Sequence, residues 1–194
     1  MKRRPDRHAK ATQLKSHEQR PSHWHISTTA GDVCATELRI GNRVITRDHG
    51  VQVIAWIGRC ELSAANLEHS PLLGPVQIAA NALGQGLPEQ DMIVSPYTRV
   101  LVKQDDTALY FGDDTLLVPA RNLVGLEGVE HLDDESVSYV HIAFEQHEVV
   151  RANGIWIECF QPADPHVFGI GEAQRTEMLA LYPELTEACL APVA

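Results

Sequence analysis

Long apolar runs are missing from this sequence. Charges, glycine or proline interrupt every hydrophobic stretch well short of the ~18 residues that a transmembrane helix needs. A helical membrane span is therefore not expected. The basic start, MKRRPDRHAKATQLKSHEQR, is not followed by an apolar segment, so cleavage of a secretory leader is not expected either. The cytoplasm is the default compartment, with non-standard export left open. Cysteine is scarce and scattered: Cys34, Cys60, Cys159 and Cys189 form no CxxC pair, which removes zinc knuckles and thioredoxin-type redox motifs. With 194 residues the chain can hold a core without cross-links, so reduced, buried thiols are expected. Aromatic residues make up only 6% and give no sugar-stacking surface, and no glycine-rich phosphate loop is present. His23 and His25 would share one face of a strand, but two ligands without a third at ligand spacing do not define a metal site. No metal and no cofactor is expected.

What is present begins with a charge asymmetry. The first twenty residues carry seven Lys/Arg against Asp6 and Glu18, a balance of +5. The whole chain is −10, which leaves −15 for residues 21–194. Such a body repels phosphate backbones, so nucleic-acid binding is not expected and would rest on the arm alone. Residues 1–22 are expected to be a solvated, disordered arm.

Residues 43–57, RVITRDHGVQVIAWI, alternate apolar and polar positions about a central DHG and predict two strands joined by a tight turn. Leu38 to Asn42 is a turn in which Gly41 suits a positive φ. Glu61 to Pro75 is polar and punctuated by Pro and Gly, which predicts a loop or a short strand with an irregular connection. Val76 to Ala80 reads as a strand or a helical turn, followed by a flexible Gly84 to Pro88. Ile93 to Pro96 leads to a strand over Arg99 to Lys103. Strands are further predicted at Ala108 to Phe111 and Thr115 to Val118, across the Gly112 to Asp114 turn. Others follow at Val137 to Phe144, Glu148 to Ala152 and Ile155 to Phe160, the last two joined by an Asn153-Gly154 type I′ turn. Only two helices are expected: one turn at Ala120 to Val124 and an amphipathic helix over Glu172 to Leu181. Many short strands without crossover helices mean an all-β domain. Trp56 and Trp156 are expected to be largely buried in its core.

Taken together, several segments resemble the bacterial Hint (Hedgehog/intein) domain. They are Leu38 to Gly50 (LRIGNRVITRDHG), Trp56-Ile-Gly58, Asp91 to Pro96 (DMIVSP) with Arg99-Val-Leu101, and Leu117 to Arg121 (LVPAR). Tyr139-Val-His141, His147 to Val150 (HEVV) and Ala152 to Phe160 (ANGIWIECF) complete the set. They run in order over about residues 26–162. The resemblance implies a horseshoe-like, pseudo-twofold all-β domain at residues 23–162, followed by a C-terminal helical tail at 163–194. It also implies self-processing chemistry at one central site. There, a Cys, Ser or Thr at the domain's first position attacks the preceding carbonyl, and a Thr-x-x-His element polarises and protonates the scissile amide. A closing His-Asn pair then releases the chain in inteins.

Carried over residue by residue, most of these roles are vacant. The first position falls at Gln19, which is no nucleophile, with Ser22 three residues on and Cys34 too far along. The Thr-x-x-His element falls on Ser95-Pro-Tyr-Thr98, where Ser95 keeps a hydroxyl but Thr98 stands in the histidine's position. His147, eight residues after Tyr139, is the best remaining acid/base candidate. The closing pair falls on Glu158-Cys159, which cannot cyclise, and Cys159 in an apolar strand reads as an inert thiol. The resulting expectation is a degenerate Hint domain without splicing, acting as a binding or interaction module toward a protein partner or its own flanking polypeptide. The alternative is an autoproteolytic domain that cleaves near its N-terminus through an N-to-O or N-to-S acyl shift. Ser95, Thr98, His147 and Cys159 are expected to converge near the strand around Ile26.

Overall fold

The computed structural model describes residues 20–21, 24–103, 115–132 and 136–159. The arm before residue 20, the strand expected at 108–111 with its 112–114 turn, and the helix expected at 172–181 lie outside the described residues, as do Ser22 and His23.

Short strands build nearly everything. They are β1 (Arg20–Pro21), β2 (His25–Thr28), β3 (Gly31–Cys34), β4 (Arg43–Ile45), β5 (Val51–Val53), β6 (Trp56–Ser63) and β7 (Val76–Ile78). After them come β8 (Met92–Val94), β9 (Arg99–Lys103), β10 (Thr115–Pro119), β11 (Val129–His131), β12 (Ser136–Ala143), β13 (Val149–Ala152) and β14 (Ile155–Glu158). The largest sheet runs in the order β10-β9-β14-β13-β2-β4-β5, with β3 also paired to β2. Two smaller sheets, β1-β12-β6 and β11-β7-β8, complete the body. Among the described residues every ladder is antiparallel except the contact of β1 with β12, where Arg20 and Pro21 face Val137 and Ser138. No described helix is long and apolar enough to cross a membrane.

Strand β2 is the hub of the large sheet. Ile26 pairs with Ala152 of β13, Thr28 with Val44 of β4, and all four residues with β3. Its alternation sends Ile26 and Thr28 inward while His25 and Ser27 are half-buried, the period-two pattern of a strand with one face on a core. The main core gathers β-branched and leucine side chains from most strands, including Ile26, Leu38, Val44, Ile54, Val76, Ile78, Val100 and Val150. A second, smaller cluster of Leu62, Ile93, Val137 and Tyr139 lies under β6 and β12, where the Tyr139 hydroxyl donates to Leu73 O at 2.6 Å.

Several expectations need correction. The strand pair expected over 43–57 stops at Val53: Ile54 donates back to Asn42 O, and Ala55 donates to Ala143 O, which carries the chain into a different sheet. Strand β6 then runs eight residues because each of them, from Trp56 opposite Ala143 to Ser63 opposite Ser136, has a partner on β12. The polar stretch after it holds a helix, α1 (Ala64–His69). Ser63 and Asn66 form a reciprocal capping box in front of it, a signal that lies in the sequence as Ser-x-x-Asn rather than the usual Ser-x-x-Glu. Trp56 and Trp156 are only half-buried, whereas Trp24, at 6% exposure, is the tryptophan inside the core. Trp56 lies at the end of the β6–β12 pairing, and Trp156 on β14 lies opposite the exposed Arg151.

Candidate functional site

The positions that carry the self-processing roles by resemblance come from two structural units, the turn between β8 and β9 and the β13–β14 hairpin. The turn is Ser95-Pro-Tyr-Thr98. Thr98 N donates to Ser95 O at 3.0 Å, and the Ser95 hydroxyl accepts from Tyr97 N at 3.2 Å, so serine and proline close the turn locally. The 3₁₀ turn Ala120–Asn122 locks it from behind, with Ala120 N donating to Thr98 O and Arg121 N to Pro96 O. The Arg121 guanidinium lies 4.5 Å from the centre of the Tyr97 ring, a cation–π contact.

Ser95 and Thr98 line a small cavity together with Trp24, Ile93, Val94, Tyr139, Val140 and His141. Its volume of about 10 Å³ is about one water molecule's worth, so no substrate fits without movement. His141 has no role in the family carry-over. It lines the cavity from β12, where it stands opposite Gly58 of β6. Its ring packs edge-on to Tyr139 with centroids 6.2 Å apart. Burial lowers its pKa from 6.5 to about 4, so the imidazole is neutral at physiological pH. The sequence signal for it was the period-two spacing of Tyr139 and His141 in an otherwise apolar strand.

The second unit is organised by its turn. Asn153 and Gly154 adopt φ of 44° and 84°, the left-handed pair of a type I′ hairpin. Asn153 is buried, and its side chain accepts from His25 N at 2.8 Å and donates to Gln90 O at 3.3 Å. Its own N–H donates to His25 O, and its carbonyl accepts from Glu89 N. One side chain thus ties together strand β2, the loop before β8 and the β13–β14 hairpin. A turn propensity alone does not announce this.

His147 and Cys159 flank this hairpin and are not among the residues that line the cavity of Ser95 and Thr98. His147 Nε2 lies 2.9 Å from Glu158 Oε1. The same carboxylate accepts from Arg99 Nη1 at 2.9 and 3.0 Å, and Arg99 Nη2 donates to Leu117 O. Glu158 is 9% exposed, so this is a largely desolvated cluster in which the cation offsets the cost of burying the anion. Arg99 follows Thr98 directly, so the two units meet through the start of β9. Beside the cluster, the buried Glu148 carboxylate contacts His49 Nδ1 at 3.0 Å and accepts from Gln146 Nε2 at 2.9 Å.

Cys159 is buried and its N–H donates to Glu148 O. Burial first, then the carboxylates of Glu158 and Glu148, push its thiol pKa well above the usual range. The thiol therefore stays protonated, the opposite of what a nucleophile needs. Among the described residues no group of three His, Cys, Asp or Glu side chains is arranged to hold a metal.

A family model described as "Hint domain" matches residues 22–164, most of the chain. Among solved structures, the chain is similar to the gp41-1 intein at 9% identity and a TM-score of 0.40, covering 72% of this chain and 96% of that one. It is similar to the MchDnaB-1 intein at 7% identity and a TM-score of 0.44, covering 71% and 97%. For a splice-inactive variant of the AceL NrdHF class 3 split intein the figures are 10%, 0.45, 72% and 96%. No curated protein matches the sequence.

Proposed function

The chain belongs to the Hint domain family, and from that membership and the state of its closing position we propose a Hint domain without protein splicing, used as a folded module that binds another polypeptide. Glu158 carries the reading. It stands where the resemblance puts the histidine of the His-Asn pair, with Cys159 in the asparagine's position. Asparagine cyclisation needs a side-chain amide free to turn on its own carbonyl. Here a carboxylate held by Arg99 and His147 is followed by a buried, protonated thiol, and neither group can perform that step. Thr98 in the place of a histidine removes the proton donor for the scissile amide nitrogen.

One observation favours the second reading, cleavage near the N-terminus without splicing. Trp24, at the start of the domain, lines the same cavity as Ser95, Thr98 and His141. A neutral imidazole there could relay a proton in place of the missing histidine, with Ser22 as nucleophile.

The experiment that tests both is intact mass over a day, with and without thiol or hydroxylamine, of the chain fused behind an N-terminal carrier. An unchanged mass is the expected result. Release of the carrier at a bond near residues 19–22, abolished in His141→Gln or His147→Ala, would replace the first reading with the second.

A further inference from the structure

We propose that the outer edge of the β4–β5 hairpin is the docking site for an extended, acidic segment of a partner protein, which adds as a strand beside β5. The proposal deepens the binding-module reading and rests on it.

The backbone makes the first argument. Strand β5 ends the large sheet. Thr46 N donates to Gly50 O at 2.7 Å, Val44 stands opposite Gln52, and Ile54 N donates to Asn42 O at 3.0 Å. Positions 50, 52 and 54 thus spend their peptide groups on β4. By the alternation of an antiparallel ladder, the N–H and C=O groups of Val51 and Val53 point the other way. Among the described residues no strand meets them there. Sheet edges left open in this way are normally blunted by lysine, proline or a bulge, and Val51-Gln52-Val53 has none of these.

The side chains make the second. Ile45 and Val51 face each other across the hairpin and are 38% and 40% exposed. Val53, beside them on the same face, is 49% exposed, and Ile40 on the preceding turn is 66% exposed. Three aliphatic side chains, Ile45, Val51 and Val53, therefore stand in solvent together next to an open strand edge, the two features that strand addition uses.

Charge selects the occupant. Residues 39–53 hold Arg39, Arg43 and Arg47 against Asp48 alone, a local balance of +2 in a body that is otherwise strongly acidic. All three arginines are exposed. Only Arg47 has a carboxylate near it, Asp48 at 3.9 Å, and among the described residues none pairs with Arg39 or Arg43. A second copy pairing edge to edge would set these arginines against one another. Arg43 stands opposite Val53, on the face that also holds Ile45 and Val51; a segment whose facing residues, two apart, are β-branched and acidic in turn would instead cover the valines and meet that arginine.

The probe is a capped six-residue peptide, Val-Thr-Glu-Thr-Val-Thr, in which Val and Glu share one face, titrated into the ¹⁵N-labelled full chain. Saturable shifts are expected at the amides of Val51 and Val53. They should weaken about tenfold in Arg43→Glu and in Val53→Lys, each checked for unchanged amide dispersion elsewhere, and should fall with added salt. Absence of saturable shifts at Val51 and Val53, equal binding of the same peptide with Lys in place of Glu, or broadening that tracks protein concentration without peptide would each overturn the proposal, the last in favour of a second copy. Carrier release in the fusion experiment with peptide binding intact would replace the uncleaved-module reading with N-terminal cleavage and leave the docking edge. A stable fusion with no peptide binding would remove only the docking edge.

Discussion

The β13–β14 and β4–β5 hairpins belong to the same sheet, carry the same kind of sequence, and end in opposite situations. Both alternate valine and isoleucine around a turn with glycine at positive φ, 84° at Gly154 and 70° at Gly50. In β13–β14, Val149, Val150, Ala152, Ile155 and Ile157 are all buried, and the turn is roofed by Leu87 and Glu89. In β4–β5 only Val44 is fully enclosed, while Ile45, Val51 and Val53 stand in solvent and nothing lies within 4 Å of where a Cβ on Gly50 would be. The difference is position in the sheet: one hairpin has β9 and β2 on its two sides, while the other has β2 on one side and, among the described residues, no strand on the other. Local β propensity is the same in both, and neighbours decide whether it becomes core or surface.

Three experiments would sharpen or break this contrast. The largest effect is expected from the buried cluster at the end of β14. Glu158→Ala leaves the Arg99 guanidinium desolvated without its anion and should cost about 3–4 kcal/mol in thermal or denaturant unfolding. Arg151→Ala, which breaks the solvent-exposed contact with Glu89 on the same hairpin, should cost under about 1 kcal/mol. Similar small losses for both would mean that the cluster is no more than a surface ion pair.

The second effect is pH-dependent and comes from the cavity. His141 binds its proton near pH 4 when folded and near 6.5 when unfolded. Between these values the unfolded chain holds more protons, so stability rises with pH. It is complete above about 6.5 and is lost as pH falls toward 4, by about 3 kcal/mol at most. Denaturation curves across this window should show the slope, and His141→Gln should flatten it. An unchanged slope in that variant would place the titrating group elsewhere.

The smallest effects test the two turns directly. A Cβ at Gly154 would lie 2.7 Å from Glu89 Oε1 and 2.8 Å from Leu87 Cδ2, in a backbone conformation that also disfavours it. Gly154→Ala should therefore cost about 2 kcal/mol, against about 1 kcal/mol for Gly50→Ala, where only the conformation is unfavourable. Equal costs would show that the roof over Gly154 yields freely.

Much of the fold was legible because alternation and turn chemistry are local. The strands at Arg99 to Lys103, Thr115 to Val118 and Ile155 to Glu158, the positive φ of Gly41 and the Asn153-Gly154 turn all follow from neighbouring residues. The short helix after Ser63 was missed because its capping partner is asparagine and its flanks are polar on every side. The sheet change at Ile54 and Ala55 was missed because the continuation of alternation into Trp56 looks the same whether the partner strand is β4 or β12. At the candidate site, Ser95 and Thr98 were placed together by a contiguous motif. His141 could not be assigned, since its approach to that motif depends on where β12 lies relative to the turn after β8.

From its residues alone this chain was determined to be all-β and, by motif order, of the Hint family. These are properties of composition and short-range pattern, which need no knowledge of distant partners. Tertiary structure decided the rest. It set Glu158 between Arg99 and His147, buried the Cys159 thiol beside two carboxylates, brought His141 to Ser95 and left β5 open at the edge. Each of these depends on which strands lie side by side, because burial, dielectric and free backbone groups are set by neighbours far away along the chain.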